Sequence, residues 1–224
     1  MRKLFTLALI TLCMSIILLY CGDSKNKSLD KKEDKEAQNS LEFVWSLENL
    51  EGLEKSFGKE NLSHGETSYD EGNTFIKTTT IFAESDHPLT VIWDSDDTDF
   101  SKMFSVKLTF YHFDEDYNQM EIDYNYWQCE NGLKLGMTIG ELRDWAEKPF
   151  KFFGIDWDFG GYIDPETNPK FENYSVFLGY ETDDYSSLPK GYNTIAGDVL
   201  LDSDNELANE LPLTINTIEY SPNK

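Results

Sequence analysis

Along this chain the apolar positions recur in two rhythms. From Ile139 they fall at helical spacing, Ile139, Leu142, Trp145 and Ala146, which places them on one face of a 3.6-residue repeat. Thr138 and Glu141 frame the start as a capping box, each side chain able to satisfy the other's free backbone amide. Pro149 ends the helix, because the residue before a proline is driven out of the helical region. An earlier segment reads the same way, with Ser46 as cap, Leu47, Leu50, Leu53 and Phe57 on one face and Gly58 as the stop. Elsewhere the period drops to two. Phe104, Val106, Leu108 and Phe110 alternate with Ser105, Lys107 and Thr109, and Met120, Ile122, Tyr124 and Tyr126 alternate with Glu121, Asp123 and Asn125. Half-buried strands are therefore expected at 104–113 and 120–127, with others at 75–82, 89–93, 174–180, 194–201 and 213–220. A helix followed by strands, twice, predicts an α+β fold. Its short helices pack on one face of an antiparallel sheet, in two tandem helix-then-strands repeats over 41–130 and 131–224.

The segment Asn131-Gly132-Leu133-Lys134-Leu135-Gly136-Met137-Thr138-Ile139-Gly140-Glu141-Leu142, followed by Lys148-Pro149-Phe150, resembles a known signature. It is the Gly-Met-Thr, helix, small-residue-Pro pattern of the SmpA/OmlA lipoproteins and the β-lactamase-inhibitor-like fold. With Trp157-Asp158-Phe159-Gly160-Gly161 it also resembles uncharacterised lipoproteins of diderm bacteria. The match is confined to residues 131–161. What it implies is a helical pair on an antiparallel sheet, sometimes in tandem copies, in a binding or assembly protein without a catalytic centre.

The amino terminus is of another kind. Met1-Arg2-Lys3 is a positive start and Leu4 to Tyr20 an uncharged, mostly apolar run ending at Cys21, which reads as an export signal over 1–20. Leu18-Leu19-Tyr20-Cys21 resembles a lipobox, and the resemblance implies that Cys21 is acylated, with palmitate-type chains anchoring the protein in a membrane. The alternative is an uncleaved anchor helix, for which the run is short. Residues 21–40 then lose almost all apolar character and read as a flexible, charged tether. Lys32-Glu33-Asp34 is similar to signals that route lipoproteins to the surface, or is plain linker composition.

The first 40 residues hold seven Lys+Arg and five acids, so of 19 Lys+Arg and 42 Asp+Glu, residues 41–224 keep 12 and 37, a net charge of −25. Nucleic acid is excluded as a partner, since phosphate backbones are held by clustered Lys and Arg. The charge suits instead an acidic sheet face offered to a protein partner in the bacterial envelope, at the periplasmic or surface face of the outer membrane. Cys129 is the single thiol left beyond Cys13 and Cys21, so no internal disulfide is expected there. Burial beside Trp127 is the expected fate of that thiol.

Candidate chemistry is sparse. His64, His87 and His112 stand apart without metal-ligand spacing, and neither a nucleophile elbow nor a phosphate-binding glycine loop occurs. No cofactor and no catalytic residues are expected, although carboxylates are too numerous for a hydrolase to be dismissed. Asp156, Trp157, Asp158 and Tyr162, with Gly160 and Gly161 freeing the backbone, have the composition of a glycan or peptide site, ring planes giving area and acids giving orientation. The alternative is a tight turn whose rings pack beneath the sheet. Asp94, Asp96, Asp97 and Asp99 would offer oxygens to a hard cation, but Asp99 and Ser105 occupy the places where an EF-hand needs Gly and Glu. A solvated acidic loop is the alternative there.

Overall fold

The computed structural model describes residues 38–69, 74–113, 118–180 and 188–222. The expected signal, Cys21 and most of the tether lie outside the described residues. The described residues begin just ahead of residue 41. Ser40 is buried, and its hydroxyl accepts the amide of Phe43 (3.0 Å) to cap α1 (Leu41–Ser46). Gln128 accepts the amide of Leu41 and donates its own to Asn39, both at 3.2 Å. Asn39 and Ser40, grouped by composition with the tether, are thus part of the fold.

The single helix expected from Ser46 is two. Ser46 is the last residue of α1, Glu48 turns the chain at φ 64°, and Asn49 caps α2 (Leu50–Phe57) by accepting the amide of Gly52 at 3.0 Å. A Cβ on residue 52 would stand 2.3 Å from the Leu47 carbonyl oxygen. Glycine is what allows the two helices to join so closely.

Four strands follow as an antiparallel meander, β1 (Leu62–Tyr69), β2 (Thr74–Ile81), β3 (Leu89–Trp93) and β4 (Met103–Thr109). No strand was expected at β1, whose sequence is polar and which is held by its ladder to β2, from Leu62↔Ile81 to Tyr69↔Thr74. The expected strand at 120–127 does not form, because β4 already carries β3 on one side and β9 (Thr214–Tyr220) on the other. That alternating segment crosses the end of the sheet as irregular chain.

The remaining elements are α3 (Ile139–Ala146), β5 (Lys151–Phe153), β6 (Ile163–Asp164), β7 (Tyr174–Gly179), β8 (Leu200–Asp202) and α4 (Glu206–Glu210). The cap of α3 is as expected: Thr138 Oγ1 accepts the Glu141 amide (3.2 Å) and Glu141 Oε2 accepts the Thr138 amide (2.8 Å). Of the strand expected at 194–201 only its end is in β8, and Tyr192–Thr194 is a 3-10 turn. The strands make a six-stranded antiparallel sheet, β1-β2-β3-β4-β9-β7, and a three-stranded one, β6-β5-β8. The fold is α+β, as the two periodicities require. Each stretch does open on a helix, but 41–130 and 131–224 share the large sheet, since β9 pairs with β4 from Val106↔Tyr220 to Thr109↔Thr217.

One face of that sheet carries Thr79, Ile81, Leu89, Val91, Trp93, Val106, Leu108, Val176 and Ile218. Leu41, Val44, Leu53, Trp127, Leu133, Leu142, Phe150 and Phe152 join them in the core. Cys129 and Trp127 are both buried. The alternate positions, Thr78, Thr80, Thr90, Ser105, Lys107, Thr109, Thr217 and Glu219, form the other face. Hydroxyls pair across it, Thr80 with Thr90 (3.3 Å) and Thr109 with Thr217 (3.1 Å), and Lys107 stands opposite Glu219. This face is rich in hydroxyls rather than acids, and the acidic residues are carried mainly by loops.

Candidate functional site

The Trp157 loop leaves β5 through Gly154 and turns at Asp156, whose φ is 62°. Gly161 has φ 74°, and a Cβ there would lie 1.8 Å from the Leu178 carbonyl oxygen. Only glycine permits this approach, through which the Leu178 amide donates to Gly161 O (2.9 Å) and Tyr162 bridges to Phe177. The loop therefore stitches the small sheet to β7. Its rings serve that joint: the Trp157 indole N–H donates to Gly154 O (2.9 Å), and its ring meets Phe153 at 6.0 Å and Phe159 at 5.5 Å. Tyr162 lies between Phe153 and Phe177. Asp156 and Asp158 are exposed, and Asp156 accepts a long bond from the Tyr180 hydroxyl (3.4 Å). The four expected residues share one loop, yet Trp157 and Tyr162 are partly covered by packing.

The Asp94–Asp99 loop turns the carboxylates of Asp94 and Asp97 onto its own backbone, while Asp96 and Asp99 are exposed. Asp97 accepts the amides of Asp99 (3.0 Å), Ser101 (2.7 Å) and Lys102 (2.9 Å), and Asp94 accepts the Asp96 amide (3.1 Å) and pairs with Lys102 Nζ (2.6 Å). Hydrogen bonding to Lys102, then to the Asp96 amide, holds the Asp94 carboxyl below its usual value. For Asp97, desolvation pushes upward, and the amides of Lys102 and Asp99 with Ser101 outweigh it, for a net lowering. Such a loop is capped by its own backbone. Among the described residues no group of three or more His, Cys, Asp or Glu is placed to hold a metal ion.

A third place was not singled out by the sequence. At the end of the large sheet, the exit of β4, the start of β9, the end of β7 and the irregular segment 119–124 enclose a cleft of about 380 Å³. Its position follows from a β-bulge. Phe177 pairs with Thr217 but Leu178 with Ile215, so Asn216 is the extra residue on β9. Bulges re-aim side chains, and here the Asn216 carboxamide lies over Gly179, its Nδ2 only 2.1 Å from where a Cβ would be. It donates a long bond to the Tyr111 hydroxyl (3.4 Å). Tyr111 and Tyr124 are 42% and 45% exposed, and Tyr124 meets Phe110 edge to face at 5.4 Å. Gln119, Glu121, Thr214 and Tyr180 add polar groups to the rim, and among the described residues no Lys or Arg lines it. Glu121 and Tyr124 were legible only as members of a strand that does not form, and the bulge at Asn216 depends on pairing that no local pattern reveals.

At the opposite end of β9, the Tyr174 hydroxyl donates to Glu42 Oε1 (2.5 Å), beside Cys129. Burial, then this bond, raises the Tyr174 phenol, and burial with the nearby Glu42 charge raises the Cys129 thiol well above its usual value. A thiol held in that state is a packing group rather than a nucleophile.

No family model matches the chain, and neither a curated protein nor a solved structure matches it.

Proposed function

We propose that this protein is a lipid-anchored recognition or assembly protein of the bacterial envelope, held at the outer membrane through Cys21 and its charged tether, with a protein partner and without a catalytic role. The observation that carries the reading is the division of the chain. A charged, apolar-poor segment separates the Cys21 leader from a unit of net charge −25, an arrangement suited to standing off a bilayer and meeting a basic surface. The resemblance of residues 131–150 to the SmpA/OmlA lipoproteins supports it, as does the helical pair α1–α2 that opens the fold. The cleft points the same way, because Glu121, the one carboxylate among the described residues of its lining, stands among rings and amides that suit binding better than acid–base chemistry. Cys21→Ala should abolish labelled-palmitate incorporation and move the protein from the membrane to the soluble fraction. Palmitate labelling and membrane retention that survive the substitution would refute the anchor.

A further inference from the structure

We propose that the cleft beside the β9 bulge binds a neutral saccharide of one or two rings. The inference rests on reading the chain as a recognition protein, not on its anchor. It moves sugar binding away from the Trp157 loop, where the indole N–H is already bonded and the ring packs against Phe153 and Phe159. Three features of the cleft select the ligand.

The first is charge. With no Lys or Arg among the described residues of its walls, the cleft offers a phosphate, sulfate or carboxylate no counter-charge there, and a unit of net charge −25 repels it. The second is the pairing of ring surface with groups that both donate and accept. Tyr111 and Tyr124 expose ring area large enough to cover the C–H face of a pyranose. The Asn216 carboxamide and the Thr214 hydroxyl, both in the lining, can meet the equatorial hydroxyls that ring such a face. The third is preparation. The bulge and Gly179 hold the carboxamide over the cleft before any ligand arrives, which reduces the ordering cost of binding. A cation would be attracted by Glu121 and by exposed ring faces alike, which makes choline the competing ligand in the test. The second hollow, lined by Glu60, Asn61, Ser63, Phe82 and Glu84, has no comparable pair of exposed rings.

The test uses the full chain in detergent, titrated with maltose, cellobiose, lactose and diacetylchitobiose, with choline and inorganic phosphate alongside, and followed by ligand-observed NMR. At least one disaccharide should bind saturably. Tyr124→Ala and Asn216→Ala should each weaken it about tenfold, and Gly179→Ala should do the same with Asn216 intact, because the new Cβ displaces the carboxamide. Tyr124 and Asn216 are not core residues, so their variants should retain the wild-type unfolding midpoint. Absence of saturable binding across the four sugars, binding indifferent to Tyr124 and Asn216, or preferential binding of choline or phosphate would each overturn the proposal. None of these outcomes bears on palmitate labelling of Cys21, so the two readings fail separately.

Discussion

Thr79→Val offers a sharp test of how the large sheet is held. Thr79 and Trp93 are both fully buried on the core face, and the Trp93 indole N–H donates to Thr79 Oγ1 at 2.9 Å. The same hydroxyl lies 3.0 Å from His64 Nδ1, so it joins three strands through one oxygen. Valine keeps the shape and removes the acceptor. The indole N–H is then stranded in a site that water does not reach, at a cost of about 1–3 kcal/mol, and a loss of about 2 kcal/mol is expected. Trp93→Phe should cost about 2–3 kcal/mol through the space it leaves. In the double variant no donor is stranded, so the combined loss should fall short of the sum by about 1 kcal/mol or more. Equilibrium urea unfolding of the four proteins, read as midpoints at constant slope, supplies the cycle. A Thr79→Val loss below about 0.5 kcal/mol, or strict additivity, would show that the hydrogen bond contributes nothing.

Thr138→Ala should cost about 1 kcal/mol through the lost cap. Trp145→Ala should cost about 2–3 kcal/mol, because the half-buried indole bonds Asn131 O (2.9 Å), packs on Phe171 and lies under Lys170 Nζ; urea midpoints in the reverse order would refute this. Ser105 is fully buried and its Oγ has no hydrogen-bond partner, so Ser105→Ala should raise stability by about 1 kcal/mol, and a clear destabilisation would show a bond that the structure lacks. Stability should also fall on the alkaline side. The Cys129 thiol and the Tyr174 and Tyr220 phenols are raised in the fold, chiefly by burial, so above about pH 8.5 the folded chain keeps protons that the unfolded chain releases. Over the alkaline range the urea midpoint should be level from about pH 7 to 8.5 and decline through pH 10, and a midpoint that rises there would refute the assignment.

Legibility followed the range of the forces involved. The capping box at Thr138 and the alternation in β4 are local, and both were readable because the residues that decide them are a few positions apart. Ser46 misled because the same hydroxyl that could open a helix here closes one, with Glu48 turning the chain so that Asn49 takes the cap. The alternation at 120–127 was real, but a strand needs a free neighbour, and β4 has β3 on one edge and, on the other, β9 from far along the sequence. For the same reason β1 was invisible, since its polar residues form a strand only because β2 supplies the ladder. The cleft was least legible of all. Asn216 and Gly179 acquire meaning only when β7 and β9 pair out of step.

The place of β9 in the sheet has a consequence for when the molecule can become itself. It lies between β4 and β7 and is made after both, so the sheet has a gap until residues 214–220 have been synthesised. The meander β1–β4 can zip from local contacts, whereas β7, the bulge and the cleft wait for the last strand to slot in. A nascent chain would meanwhile expose the inner edge of β4 with Val106 and Leu108, the surface on which a folding intermediate is most open to capture by a chaperone or to mispairing with another copy. Loss of the final strand should therefore cost far more than its seven residues suggest.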